Sequence, residues 1–104
     1  MRLIDILTES KESFEDFAVT RGKGAAKIAE TSQEKGGLSL LTYQHFKVKG
    51  PYYKKASEGK FDRESAIQEF KDTYKKISLD MTQTEFQREV GRLEVLGELL
   101  IRKK

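Results

Sequence analysis

Apolar positions in the last third of the chain recur with the period of an α-helix. Phe86, Val90, Leu93, Leu96 and Leu100 follow one another at steps of four, three, three and four, which puts them on one helical face. Val95, Leu99 and Ile101 widen that face and predict packing on two sides near the end of the helix. Thr82-Gln83-Thr84-Glu85 reads as a capping box, in which the Thr82 hydroxyl meets the Glu85 amide and the Glu85 carboxylate reaches back. Arg102, Lys103 and Lys104 stand where cations favour a helix C-terminus. Gly91 and Gly97 lie inside this helix at a cost of about 1 kcal/mol each. They predict the close approach of another helix.

A second stripe precedes the first. Ala66, Ile67, Phe70, Tyr74 and Ile77 form it, with Asp62 as N-cap and Phe61 placed before it as in a hydrophobic staple. Asp62 and Glu64 in the first turn, and Lys75 and Lys76 in the last, agree with the helix dipole. The connection 78–81 is short, so the two helices are expected to pair as an antiparallel hairpin over residues 62–101. Leu79 and Met81 are expected to plug its closed end, and the hairpin to be the most stable part of the fold.

Upstream the pattern thins. Phe14, Phe17, Ala18 and Val19 suggest a short amphipathic stretch beginning near Ser10 or Ser13. Ala25, Ala26, Ile28 and Ala29 suggest a separate small-residue helix over 24–35, with Arg21-Gly22-Lys23-Gly24 as a basic turn between them. After Gly36-Gly37, Leu38, Leu40, Leu41 and Phe46 predict a helix over 39–49, stopped by Gly50 and Pro51. A strand competes there, because Thr42, Tyr43, Phe46 and Val48 have β preference. Pro51 to Ala56 reads as one or two helical turns ended by Gly59. The fold class that follows is all-α: a small single-domain bundle of four to five helices with a C-terminal helical hairpin.

Composition narrows the function. The 104 residues suit one domain. Charged residues, at 36%, nearly equal hydrophobic ones, at 37%, so much of the surface must be charged side chain. Ten aromatics argue against a wholly disordered chain. The absence of Cys excludes disulfides and thiolate metal sites. No apolar run approaches the ~20 residues of a membrane span. The net charge of +3 is unevenly spread. Residues 21–60 hold nine basic and three acidic side chains, whereas residues 61–104 hold nine of each. A positive middle can attract phosphate; a solvated lysine-rich loop is the competing reading.

No constellation of a reactive centre stands out, so the chain is expected not to be an enzyme and to carry no cofactor. His45 is the one histidine, without ligand spacing around it, and is expected to be structural or to lie on the surface. Arg21-Gly22-Lys23-Gly24 matches neither the Walker phosphate loop nor the dinucleotide fingerprint. The carboxylates Asp62, Glu64, Glu69 and Asp72 fall between apolar positions and read as a solvated face. The remaining candidates are cations interleaved with aromatics, which can hold phosphates and stack bases. They are Arg21, Lys23, Lys27, Lys47, Lys49, Tyr52, Tyr53, Lys54 and Lys55.

The opening Met1-Arg2-Leu3-Ile4-Asp5-Ile6-Leu7-Thr8-Glu9-Ser10 resembles the leader of proteins packaged in the heads of T-even-like bacteriophages. That leader has a basic residue, a few apolar residues and Leu-x-Glu before a small residue, and the prohead protease cuts after the Glu. Leu7, Glu9 and Ser10 fit the pattern. The resemblance implies a leader over 1–9 and a mature domain over 10–104. It also implies a small basic protein that travels with packaged DNA into the host cytoplasm, some of whose kind block a host defence nuclease. Loss of residues 1–9 would remove Arg2, Asp5 and Glu9 and raise the net charge to +4. The functional expectation is therefore a virion-packaged accessory protein that binds DNA weakly or occupies a host protein. A structural protein of the particle, self-associating through an apolar helical face, is the alternative.

Overall fold

The structure is a computed structural model that describes residues 13–103; the leader pattern at Leu7, Glu9 and Ser10, and Lys104, lie outside the described residues. Among the described residues there are four α-helices and no strand: α1 (Phe14–Lys35), α2 (Ser39–Ser57), α3 (Arg63–Lys76) and α4 (Gln83–Arg102). Among the described residues no helix is long and apolar enough to cross a membrane.

Three helices start where a local polar side chain dictates. The Asp16 N–H donates to Ser13 Oγ at 3.0 Å, the Ser65 N–H to Asp62 Oδ2 at 2.9 Å and the Glu85 N–H to Thr82 Oγ1 at 3.1 Å. Each satisfies one of the amides that a helix leaves unpaired in its first turn. The Asp62 carboxyl is held below its ordinary value by this cap.

The stretches read as two short helices around a basic turn are one continuous α1 of 22 residues. Arg21, Gly22, Lys23 and Gly24 lie in its interior. The reason is tertiary. Ala18, Ala25, Ala29 and Ser32 are buried, and with Gly22 they form an unbroken stripe at steps of four, three, four and three. This narrow face lets α1 lie close to α2. A Cβ on Gly22 would stand 3.2 Å from Tyr53 Cβ, tighter than an ordinary contact, so the glycine helps the two helices to lie close. Packing along the stripe outweighs the unfavourable propensity of the two glycines, about 1 kcal/mol each.

The helix predicted to stop at Gly50 and Pro51 runs through them to Ser57. Proline removes a main-chain hydrogen bond to the carbonyl four residues before it. It also crowds the preceding residue's Cβ, which Gly50 lacks. Continuing the helix places Tyr53 and Ala56 in the core, where they are 2% and 0% exposed. The competing strand reading is excluded. Gly36 and Gly37, at φ +66° and +55°, make the left-handed turn from α1 into α2.

The core sits where α1, α2 and α4 meet: Ala18 and Ala25, Tyr53 and Ala56, and Val95 and Leu99. The densest packing is therefore between α1 and α2 and between α2 and α4, not within the hairpin. α3 packs on α4, contributing the buried Ala66 and Thr73. The expected plug fails at Leu79, which is fully exposed; Ile101 and Tyr74 also face solvent despite their place in the apolar stripes. The stripes are wider than the surface the neighbouring helices cover. At the far end, Arg63 Nη1 donates to the carbonyl oxygens of Leu100, at 2.8 Å, and Lys103, at 2.5 Å. This satisfies the open end of α4. Phe14 meets Phe61 there at 5.3 Å between ring centres, and the Arg102 guanidinium lies over Phe17.

Candidate functional site

Both sides of α2 carry candidate residues, but they face opposite environments. On the inward side Lys49 is 6% exposed. Its ammonium donates to Glu94 Oε1 at 2.9 Å and lies 4.7 Å from the Phe46 ring centre. Tyr53 is buried and its hydroxyl donates to Glu98 Oε1 at 2.5 Å. Arg21 reaches the same carboxylate from α1, with Nη2 2.7 Å from Oε2. Burial first, and the hydrogen bond to Glu98 second, push the Tyr53 phenol well above its usual range. Lys49, Tyr53 and Arg21 therefore tie α1, α2 and α4 together. The Lys49 ammonium and the Tyr53 phenol are turned inward, away from any nucleic acid, whereas the Arg21 guanidinium is half exposed and engaged by Glu98.

Beside this seam, His45 is 9% exposed. Its Nε2 lies 3.4 Å from Glu94 Oε1 and its ring meets Phe46 edge-on. The Glu94 carboxyl is moved upward by partial burial, but the Lys49 hydrogen bond and charge, with a smaller effect of His45, outweigh this, so its net shift is downward.

The outward side of α2 forms one wall of a cleft of about 530 Å³. Gln44, Lys47, Val48, Pro51 and Lys55 share this wall because their spacings of three, four and seven follow the helical repeat. Tyr52 closes it towards α3, and Arg88 and Arg92, one turn apart on α4, supply the opposite side. The Tyr52 hydroxyl donates to Glu69 Oε1 at 2.5 Å, which fixes the ring. Burial and this bond raise the phenol to about 12. Arg88 Nε donates to Gln44 Oε1 at 2.8 Å. Arg92 Nη1 donates to Glu89 Oε1, and the other oxygen of that buried carboxylate has no hydrogen-bond partner among the described residues.

Four cations thus line the cleft with one carboxylate, Glu69, and one of the four, Arg92, is paired with Glu89. Among the described residues none of Lys47, Lys55 and Arg88 belongs to an ion pair. Such an arrangement attracts anions, and its concave walls focus the field. Of the sequence candidates, Lys47, Tyr52 and Lys55 come together here. Lys54 is exposed on α2, and Lys23 and Lys27 are exposed on α1; all three stand outside the lining. Arg88 and Arg92 were missed because the charge of residues 61–104 sums to zero. The signal that finds them is their spacing of four on the polar side of the α4 stripe. Among the described residues no three His, Asp or Glu side chains are grouped so as to hold a metal ion.

Comparison of the chain with protein-family models, with curated proteins and with solved structures finds no match in any of the three.

Proposed function

We propose that this is a non-enzymatic phage accessory protein, carried in the virion and acting by holding nucleic-acid phosphate in the α2–α4 cleft. The observation that carries the binding role is the convergence of Lys47, Lys55, Arg88 and Arg92 on one concave surface. The virion assignment is supported by the Leu7-Thr8-Glu9-Ser10 pattern alone.

Retardation of DNA at low salt tests the binding role. Neutralising about three phosphates, by Lys47, Lys55 and Arg88, gives a slope of log K against log salt of roughly −2 to −3 on duplex DNA. Replacing Lys47 and Lys55 by Gln lowers the magnitude of that slope by about two. Binding that ignores salt, or no binding at low salt, rejects the reading. Mass spectrometry of the protein taken from particles tests its origin. An N-terminus at Ser10 is expected, and an intact Met1 contradicts the packaging route.

A second reading has its own observation. Ile77, Leu79, Met81 and Phe86 line an apolar depression of about 340 Å³ at the α3–α4 turn, with Leu79 fully exposed. Exposed apolar patches mark contact sites between proteins. Concentration-dependent oligomers in light scattering, together with no retardation of DNA, would favour an assembly role.

A further inference from the structure

We infer that the cleft takes a single-stranded nucleic acid in preference to a duplex, an inference that rests on the nucleic-acid reading above. Three features of the site lead there. The cations stand around a concavity, not along a ridge. Lys47 and Lys55 are two turns apart on one wall, about 12 Å along the helix axis, and Arg88 and Arg92 are one turn apart on the other, about 6 Å. Two facing rows track one backbone. A duplex is read by an element that enters its groove, and the basic side of α2 is instead the wall of a cleft flanked by α4.

The second feature is size. At about 530 Å³ the cleft lies within the range of roughly 300–1,000 Å³ typical of small-ligand sites. That suits a short stretch of one strand and is too small to enclose a base-paired helix. The third is the surface between the cations. Val48, Pro51 and Tyr52 give an apolar lining, and the Tyr52 ring is fixed by the bond to Glu69. A preset aromatic ring beside a row of cations is what base stacking requires. The bases of a duplex are already stacked on one another, whereas those of a single strand are open to it.

Fluorescence anisotropy with a labelled oligothymidylate of about 15 nucleotides, and with a duplex of the same length, provides the test on the full chain at low salt. The single strand is expected to bind at least about tenfold more tightly, in line with the effect of one stacked base. Tyr52→Phe, which keeps the ring but frees it from Glu69, is expected to weaken the preference, and Tyr52→Leu to remove it. Circular dichroism checks that both variants keep their helices. Should Tyr52→Leu fail to fold, the exposed pair Lys47→Gln/Lys55→Gln replaces it and is expected to weaken the single strand about tenfold or more. The exposed pair Lys71→Gln/Lys75→Gln on α3, outside the cleft, is expected to leave it unchanged. A duplex bound as tightly as the single strand, or more tightly, overturns this inference while leaving phosphate binding intact. Single-strand binding left undiminished by loss of both Lys47 and Lys55 charges overturns the assignment to this cleft. No binding of either nucleic acid removes the inference together with the reading beneath it.

Discussion

Gly91→Ala is expected to destabilise the protein by about 2 kcal/mol or more, although alanine is the better helix former by about 1 kcal/mol. The reason is the crossing of α4 over α2. A Cβ at position 91 would lie 2.7 Å from Val48 Cγ2, with the His45 carbonyl oxygen nearer still. A side chain could rotate away, but a backbone carbonyl inside a helix cannot. The two helices must therefore separate, and interiors packed at crystal density resist that. Gly97→Ala on the same helix is the control. Its added methyl would meet Phe70 Cε2 at 3.6 Å, an ordinary contact, so the propensity gain of about 0.5–1 kcal/mol survives. In thermal unfolding each 1 kcal/mol corresponds to about 4–8 °C for a domain of this size. Opposite shifts in Tm are therefore expected: down by roughly 8 °C or more for Gly91→Ala and up by a few degrees for Gly97→Ala. Equal stability of the two variants would contradict the close crossing. Because Val48 also lines the cleft, Gly91→Ala is expected to weaken nucleic-acid binding as well.

This glycine was legible before the structure, as a residue out of place in a helix. Its neighbour Gly97 carried the same mark without the same cause, since propensity reports a local cost and not what stands opposite. The caps at Asp62 and Thr82 were legible because a cap is settled within four residues, whereas Ser13 stood only as one of two starts beside Ser10. Continuity across Arg21–Gly24 and across Gly50–Pro51 was not. In both places a local penalty is overridden by contacts made elsewhere: Gly22 against Tyr53, and Tyr53 with Ala56 in the core. The same holds for the candidate site. Lys47, Tyr52 and Lys55 could be picked by chemistry alone. Lys49 and Tyr53 looked equivalent to them, because the acids that engage them, Glu94 and Glu98, are 45 positions further along on α4. One helical face separates a cation in solvent from a cation in the interior, and a short run of lysines and tyrosines does not say which is which.

The inward lysine leads to the second large effect. Glu94→Ala is expected to destabilise the fold by about 1–3 kcal/mol, while Lys49→Met is expected to be neutral or stabilising. The asymmetry comes from where the two partners sit. The Lys49 side chain is 8% exposed and that of Glu94 is 54% exposed. Removing the carboxylate leaves an ammonium among apolar neighbours without its acceptor; removing the ammonium returns the carboxylate to water. Methionine keeps most of the lysine stem and its contacts with Phe46, so the packing changes little. Partial exposure of Glu94 lets water reach the seam, which is why the loss falls short of that for a fully enclosed pair. The double variant Lys49→Met/Glu94→Ala should resemble Lys49→Met alone, a coupling that chemical denaturation of all four proteins measures. Acid sharpens the contrast. The Glu94 carboxyl lies below its usual value of 4.5 in the folded protein. Its contribution is therefore complete above that pH and fades as pH falls through the lower folded value. The parent protein should lose stability in that window, and Lys49→Met should lose less of it. If Glu94→Ala and Lys49→Met proved equally stable at neutral pH, or the two acid profiles coincided, the ammonium would not be held by this carboxylate and the seam between α2 and α4 would need another explanation.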